Sequence, residues 1–161
     1  MTKHSKKISA TEARQKIYRY CAYQERCHQE VRNKLYEYGL RTGDVDDIIA
    51  HLITEGFLNE ERFAIAFAGG KFRMKQWGRL KIIRELEARG LTANCIRAGL
   101  KTIDPQQYEE TLEKLLEKKN AQLGEKAPAI RDNALAEYAL QKGYESELVW
   151  KKIKEFRNVN K

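Results

Sequence analysis

Proline is scarce in this 161-residue chain, with two residues, and no alternation of apolar and polar residues persists long enough to suggest a strand. These absences argue against a sheet protein and, with 34% charged residues, favour helices with wet faces. Cysteine is scarce as well. Cys21, Cys27 and Cys95 form an odd set without Cys-x-x-Cys spacing, which speaks against a disulfide framework or zinc site and predicts small buried or half-buried hydrophobes. No apolar run approaches a membrane span, and the basic start Met-Thr-Lys-His-Ser-Lys-Lys-Ile-Ser lacks the apolar stretch of a signal peptide. The expectation is a soluble, cytoplasmic protein that touches no membrane.

Catalytic groupings are missing too. Gly69-Gly70-Lys71 looks like part of a phosphate loop, but the upstream glycine is absent and Phe72 stands where a Ser or Thr must hold magnesium. Cys27 and His28 are neighbours that would point roughly 100° apart on a helix, so adjacency alone makes no nucleophile and base. His4 and His51 have no metal-ligand spacing around them. No catalytic residue, cofactor or metal site is predicted.

What the chain does contain is a repeat. Ile8-Ser9-x-x-Glu12-Ala13, Leu58-Asn59 with Phe63, and Ile103-Asp104-Pro105-Gln106-Gln107-Tyr108 each place an apolar residue before a helix cap and another at the fourth helical position. Gly39, Gly90 and Gly143 then close a second helix in each copy, followed by Leu40, Leu91 and Tyr144. Apolar residues recur at fixed offsets around these glycines: Leu35, Leu86 and Ala139 before them, Val45, Ile96 and Val149 after. In the third helix of the first copy, Val45, Ile48, Ile49, Leu52 and Ile53 fall on one stripe. The fold predicted is all-α: three tandem three-helix units stacked into an elongated or curved body with shared cores. The units are expected at 9–56, 57–103 and 104–157, the last with longer helices, flanked by a polar tail over 1–8 and a short one over 158–161.

The string from Gly56 to Ala64 reads as one helix boundary. Gly56 ends a helix, Asn59 caps the next, Leu58 and Phe63 sit where a hydrophobic staple would, and Glu60 and Glu61 favour the helix dipole.

Charge is uneven along the repeat. Net charge is +2 over 1–56, +5 over 57–104 and +1 over 105–161. Lys71, Arg73, Lys75, Arg79, Lys81 and Arg84 follow one another with no acid among them and with Phe72 and Trp77 interleaved. Such a run is either a solvated face or a contact for phosphate or an acidic protein surface. Asp44, Asp46 and Asp47 at the start of a third helix would repel a phosphate backbone, which disfavours a recognition helix there; Asn94 and Arg97 could read base edges in the second unit.

The boundary string resembles the signature of the RecX family, bacterial regulators of the RecA recombinase. The resemblance continues through Phe67, Arg73, Trp77-Gly78, Ile82 or Ile83, Glu85-Leu86 and Arg89-Gly90-Leu91. Upstream, Glu30-Val31-Arg32-Asn33-Lys34-Leu35 with Gly39-Leu40 is similar to the family's first element. It covers roughly residues 11 to 101; Cys27 stands where the family usually has a capping Ser, and Gln24 where an Arg is common. On this resemblance Gly56, Leu58, Asn59, Arg62, Phe63, Ala64, Gly78, Leu86 and Gly90 are mainly structural signature residues. It implies a monomeric, non-enzymatic regulator whose partner is the RecA–DNA filament, with single-stranded or duplex DNA as a weaker ligand. The contacts are expected at Lys71, Arg73, Lys75, Arg79, Lys81 and Arg84. The alternatives are direct DNA binding by the same basic face and a general helical scaffold.

Overall fold

The computed structural model describes residues 8–159; His4, most of the expected N-terminal tail and the last two residues lie outside the described residues. Among the described residues there are nine helices and no strand. They are α1 (Ala10–Tyr23), α2 (His28–Glu37), α3 (Thr42–Thr54), α4 (Glu60–Lys75), α5 (Arg79–Ala88), α6 (Ala93–Lys101), α7 (Pro105–Leu123), α8 (Pro128–Gln141) and α9 (Ser146–Val159).

The caps form as their chemistry requires. Ser9, Asn59 and Asp104 accept the free amides of Glu12, Arg62 and Gln107 at 3.2, 2.9 and 3.0 Å, one at the head of each helix triplet. At the other end, Gly39, Gly90 and Gly143 adopt φ of 86°, 79° and 101°. Each is followed by the same hydrogen bond back to the helix: Leu40 to Leu35, Leu91 to Leu86 and Tyr144 to Ala139. This 6→1 closure satisfies a helix-end carbonyl and turns an apolar side chain back onto the preceding helix.

Two apolar clusters result. The first gathers Ile17, Cys21, Val31, Leu35, Val45, Ile48, Ile49, Leu52 and Leu58 from α1–α3 and the chain leaving them. The second is continuous through α4–α9, from Phe63 and Ile82 to Leu116, Leu135 and Ile153. The expected sharing of cores therefore holds between the second and third triplets, whereas the first has its own and contributes Cys27 to the second.

Two expectations need correcting. Leu58 and Phe63 are both buried but belong to different clusters, so they mark the boundary between two cores and make no staple. Ile53 is 46% exposed, while Val45, Ile48, Ile49 and Leu52 are buried. The eighth position after Val45 lies about 80° round the helix from it, and the stripe drifts off the core before the helix ends.

Within the second triplet α4 lies chiefly along α6. The approach is close because Gly99 faces the Ala64 carbonyl: a Cβ on Gly99 would stand 2.6 Å from that oxygen. Ala64 of the boundary signature is thus a point of backbone contact between helices, where a larger side chain on either helix would be felt.

Candidate interaction surface

The junctions between triplets place the basic residues. At the first junction the α1–α2 turn meets the head of α4. Arg62 donates through Nε to Glu25 at 2.7 Å and through Nη2 to the Gly56 carbonyl at 2.9 Å. The His28 amide donates to Glu60 at 3.1 Å, and the His28 ring lies 3.4 Å from the same carboxylate. Cys27 caps α2, its thiol 3.2 Å from Glu30, and is buried in the second cluster. Burial pushes its thiol up to about 11, as it does that of Cys21. Cys27 and His28 engage different partners, as their positions on the turn dictate.

At the second junction the α4–α5 turn sits on the α8–α9 turn. Gly78 donates its amide to the Lys142 carbonyl at 2.7 Å, and Leu80 donates to Gly143 at 2.9 Å. A Cβ on Gly78 would overlap the Gly143 backbone, so the signature glycine is demanded by close approach of two main chains. Tyr144 donates its hydroxyl to the Gln76 carbonyl at 2.9 Å, and Gln76 itself is left-handed at φ 54°. Tyr108 donates its hydroxyl to Glu145 and accepts the Arg79 amide. Burial, then the bond to Glu145, raises the Tyr108 phenol above its ordinary range, and burial raises that of Tyr144.

Between these junctions the six predicted cations do not form one face. Lys71 and Lys81 converge on Trp77, their ammonium groups 5.1 and 4.7 Å from the same ring centroid. Phe67 lies beside that ring at 6.2 Å and carries Lys71 at 5.4 Å and Arg89 at 4.8 Å. Two rings thus hold three cations in defined positions, and among the described residues only Arg89 of the three has a carboxylate partner, Glu85 at 3.0 Å. The rings are half-buried and already faced by cations, which turns them into supports for charge.

The other four are dispersed. Arg79 pairs with Glu145 at 2.8 Å and lies 3.8 Å from the Tyr108 ring centroid, both ion-pair partners only about a third exposed. It locks the second junction. Arg84 lines a shallow open groove against α8 and α9 with Leu140 and Trp150. Arg73 faces α7, where Lys114 and Lys118 join it. Lys75 is exposed at the end of α4, its carbonyl accepting from Lys142 at 3.2 Å.

Glu145, Glu25, Lys114 and Lys118 were not indicated by sequence patterns. Pairings across a junction leave no periodic trace, although the equivalence of Tyr108 to Phe63 in the cap offsets does signal that Tyr108 is buried. Among the described residues no group of three His, Cys, Asp or Glu side chains is placed to hold a metal ion, and no helix is long and apolar enough to cross a membrane.

Comparison with known proteins agrees with this architecture. Residues 13–52 match the model of the RecX first three-helix domain and residues 59–100 that of the RecX second three-helix domain, together half of the chain. The regulatory protein RecX of Pelodictyon phaeoclathratiforme is 29% identical over 124 residues, 77% of this chain and 73% of that protein. That of Halalkalibacterium halodurans is 25% identical over 130 residues, 81% of this chain but only 49% of the relative, so the chain spans about half of that longer protein. Two crystal structures share the fold, one of regulatory protein RecX and one of RecX from Lactobacillus salivarius. Each has a TM-score of 0.81 and 20% identity over 91% of this chain, covering 71% and 95% of the respective structures. By its two domain matches, its relatives and its fold, the chain belongs to the RecX family.

Proposed function

We propose that this protein regulates the RecA recombinase by binding the RecA–DNA filament and inhibiting its recombinase and ATPase activities. It does so without an activity of its own, as a cytoplasmic monomer. The observation that carries this reading is the convergence of Lys71 and Lys81 on Trp77 within the segment that matches the second RecX domain. Neither ammonium is neutralised by a carboxylate in the described residues, and both are pinned by an aromatic ring. Such a surface meets an acidic partner with little further ordering of side chains. An elongated ligand that contacts several filament subunits at once gains from each modest contact and so prefers the assembled filament to free RecA. Its effect on the filament is limited to the difference in its affinity for the two states.

The test is RecA ATPase on single-stranded DNA, with parent protein and with Lys71→Glu/Lys81→Glu. The parent should inhibit and the double variant should not, while the variant still unfolds cooperatively and loses no more than about 2 kcal/mol, since each of these half-exposed cation–π contacts is worth about 0.5–1 kcal/mol. Equal inhibition by both proteins would remove this surface from the contact. Arg79 is left unaltered in the test because its loss would loosen the second junction.

A further inference from the structure

A cavity of about 920 Å³ lies between the second half of α7, the head of α8 and the last turns of α9. It belongs wholly to the third triplet, outside both segments that match RecX domains. The repeat accounts for its position. Counted from the caps at Asn59 and Asp104 and from the closing Gly90 and Gly143, Glu109, Glu113 and Lys152 occupy the places of Ala64, Ala68 and Gly99. In the second triplet these small residues are buried where α6 rests on α4. In the third, Lys152 reaches from α9 to Glu109 and Glu113 of α7 at 3.2 and 2.8 Å and to Glu155 at 3.3 Å, and side chains of that length hold the two helices apart.

The cavity is acidic in a basic protein. Every cation on its wall is already engaged: Lys152 by three carboxylates, Arg157 by Asp132, and Arg131 through Nη2 by the Gly124 carbonyl at 3.2 Å. Five carboxylates, those of Glu109, Glu113, Glu117, Asp132 and Glu155, thus surround three cations in a chain whose net charge is +8. Glu117 has no partner among the described residues. Two further groups are unsatisfied. The Asn120 carboxamide oxygen, an acceptor, and Arg131 Nε, a donor, are buried without a hydrogen-bond partner among the described residues, and the half-buried side chains that carry them stand on the cavity wall.

We infer that this cavity binds a basic peptide segment of a partner protein. A lysine or arginine side chain supplies the charge that Glu117 and the surplus carboxylates around Lys152 call for. A peptide group supplies both an N–H for Asn120 and a C=O for Arg131, which a free ammonium ligand cannot do, since it carries no acceptor. Exposed Pro128 and half-buried Phe156 offer apolar surface for the stem of such a side chain. The volume falls within the range of about 300–1,000 Å³ found for pockets that enclose a ligand. The positive field of the rest of the chain repels a cation, so attraction here is local. The inference goes beyond the filament reading, uses none of its residues and is tested without RecA.

The experiment is fluorescence anisotropy of the labelled peptide Leu-Lys-Lys-Leu-Lys-Lys with the full chain, beside a peptide in which glutamine replaces every lysine. The parent should bind the lysine peptide at least about tenfold more tightly than the glutamine peptide. Glu117→Gln/Glu155→Gln should lose about tenfold in affinity and Asn120→Ala about threefold. Helicity and melting should be kept, because Lys152 retains Glu109 and Glu113 and an orphaned acceptor can be removed without cost. Amide shifts of the labelled full chain, read by NMR, should centre on 113–120, 128–132 and 152–157. No binding by the parent, equal binding of the glutamine peptide, unchanged affinity in either variant, or shifts centred instead on Asp44, Asp46 and Asp47 at the head of α3 each overturns the inference. So does spermidine that displaces the peptide at the peptide's own concentration; the cavity then takes a free amine.

Discussion

Gly78→Ala gives the sharpest test of how the second and third triplets are joined. The added methyl meets the Gly143 carbonyl group, and both sides of the collision are main chain, so no rotamer can relieve it. The α4–α5 turn must therefore lift off the α8–α9 turn. Two backbone hydrogen bonds cross that gap, Gly78 to Lys142 at 2.7 Å and Leu80 to Gly143 at 2.9 Å. Their loss is worth about 1 kcal/mol each, and overpacking typically adds about 1–3 kcal/mol, for a total of about 3–5 kcal/mol. Urea unfolding followed by circular dichroism reads this directly. With a slope of about 2 kcal/mol/M, the midpoint should fall by about 2 M. Gly70→Ala is the internal control. It lies on α4 with nothing within 4 Å of its Cβ position, so it should stabilise by up to about 1 kcal/mol through helix propensity alone. If Gly78→Ala unfolds within 1 kcal/mol of the parent, the junction is not closed by backbone contact and the reasoning fails.

Phe63→Ala should destabilise by about 3 kcal/mol or more, since the ring lies in the second cluster, and Asn59→Ala by about 1 kcal/mol through loss of its cap. A Phe63→Ala protein that melts like the parent yet loses filament inhibition would make this residue a contact instead. Stability should also fall in base. The Cys21 and Cys27 thiols rise from 9.0 to about 11 in the folded protein, and the Tyr108 and Tyr144 phenols are raised above 10.0, so their contributions are complete below those ordinary values and are lost as pH rises. The melting temperature should hold up to about pH 9 and drop between pH 9 and 11, and a flat profile to pH 11 contradicts the burial of these groups. Hydrogen exchange should show α1–α3 opening at lower free energy than α4, α6 and α8, because the first triplet has its own core and is joined to α4 by partly exposed polar contacts, of which the Arg62–Glu25 ion pair is worth about 1 kcal/mol or less. Equal protection across both clusters would mean that Cys27 and its neighbours join the two cores into one unit.

Local grammar carried far in this chain. Asn59, Asp104 and Ser9 could be identified as caps, and Gly39, Gly90 and Gly143 as turns, because each solves a hydrogen-bonding or backbone problem within a few residues. The sequence could not reveal which turns touch. Gly78 and Gly143 are 65 positions apart, and each on its own reads as a helix boundary. The basic run disperses for a related reason: residues two positions apart on a helix point about 200° apart, so Lys71, Arg73 and Lys75, and likewise Arg79 and Lys81, alternate between nearly opposite sides of α4 and α5. Only tertiary structure brings Lys71 and Lys81 onto one ring, sends Arg79 to Glu145, and sets Arg73 beside Lys114 and Lys118.

The structural signature and the proposed contacts are therefore linked. An elongated ligand gains from several weak contacts only if their spacing matches that of the partner, since a loose connection dilutes the effective concentration of each later contact. In this molecule that spacing is held by Gly78 against Gly143, Tyr144 against the Gln76 carbonyl, and Arg79 between Tyr108 and Glu145. These residues tie the α4–α5 turn, which carries Trp77, to the third triplet. A change at the junction that leaves every cation in place, such as Gly78→Ala, should accordingly weaken binding to the assembled filament more than binding to free RecA, because only the filament offers several contacts whose spacing the junction sets; co-sedimentation with filaments beside titration with free RecA checks this, and an equal loss for both would refute the link.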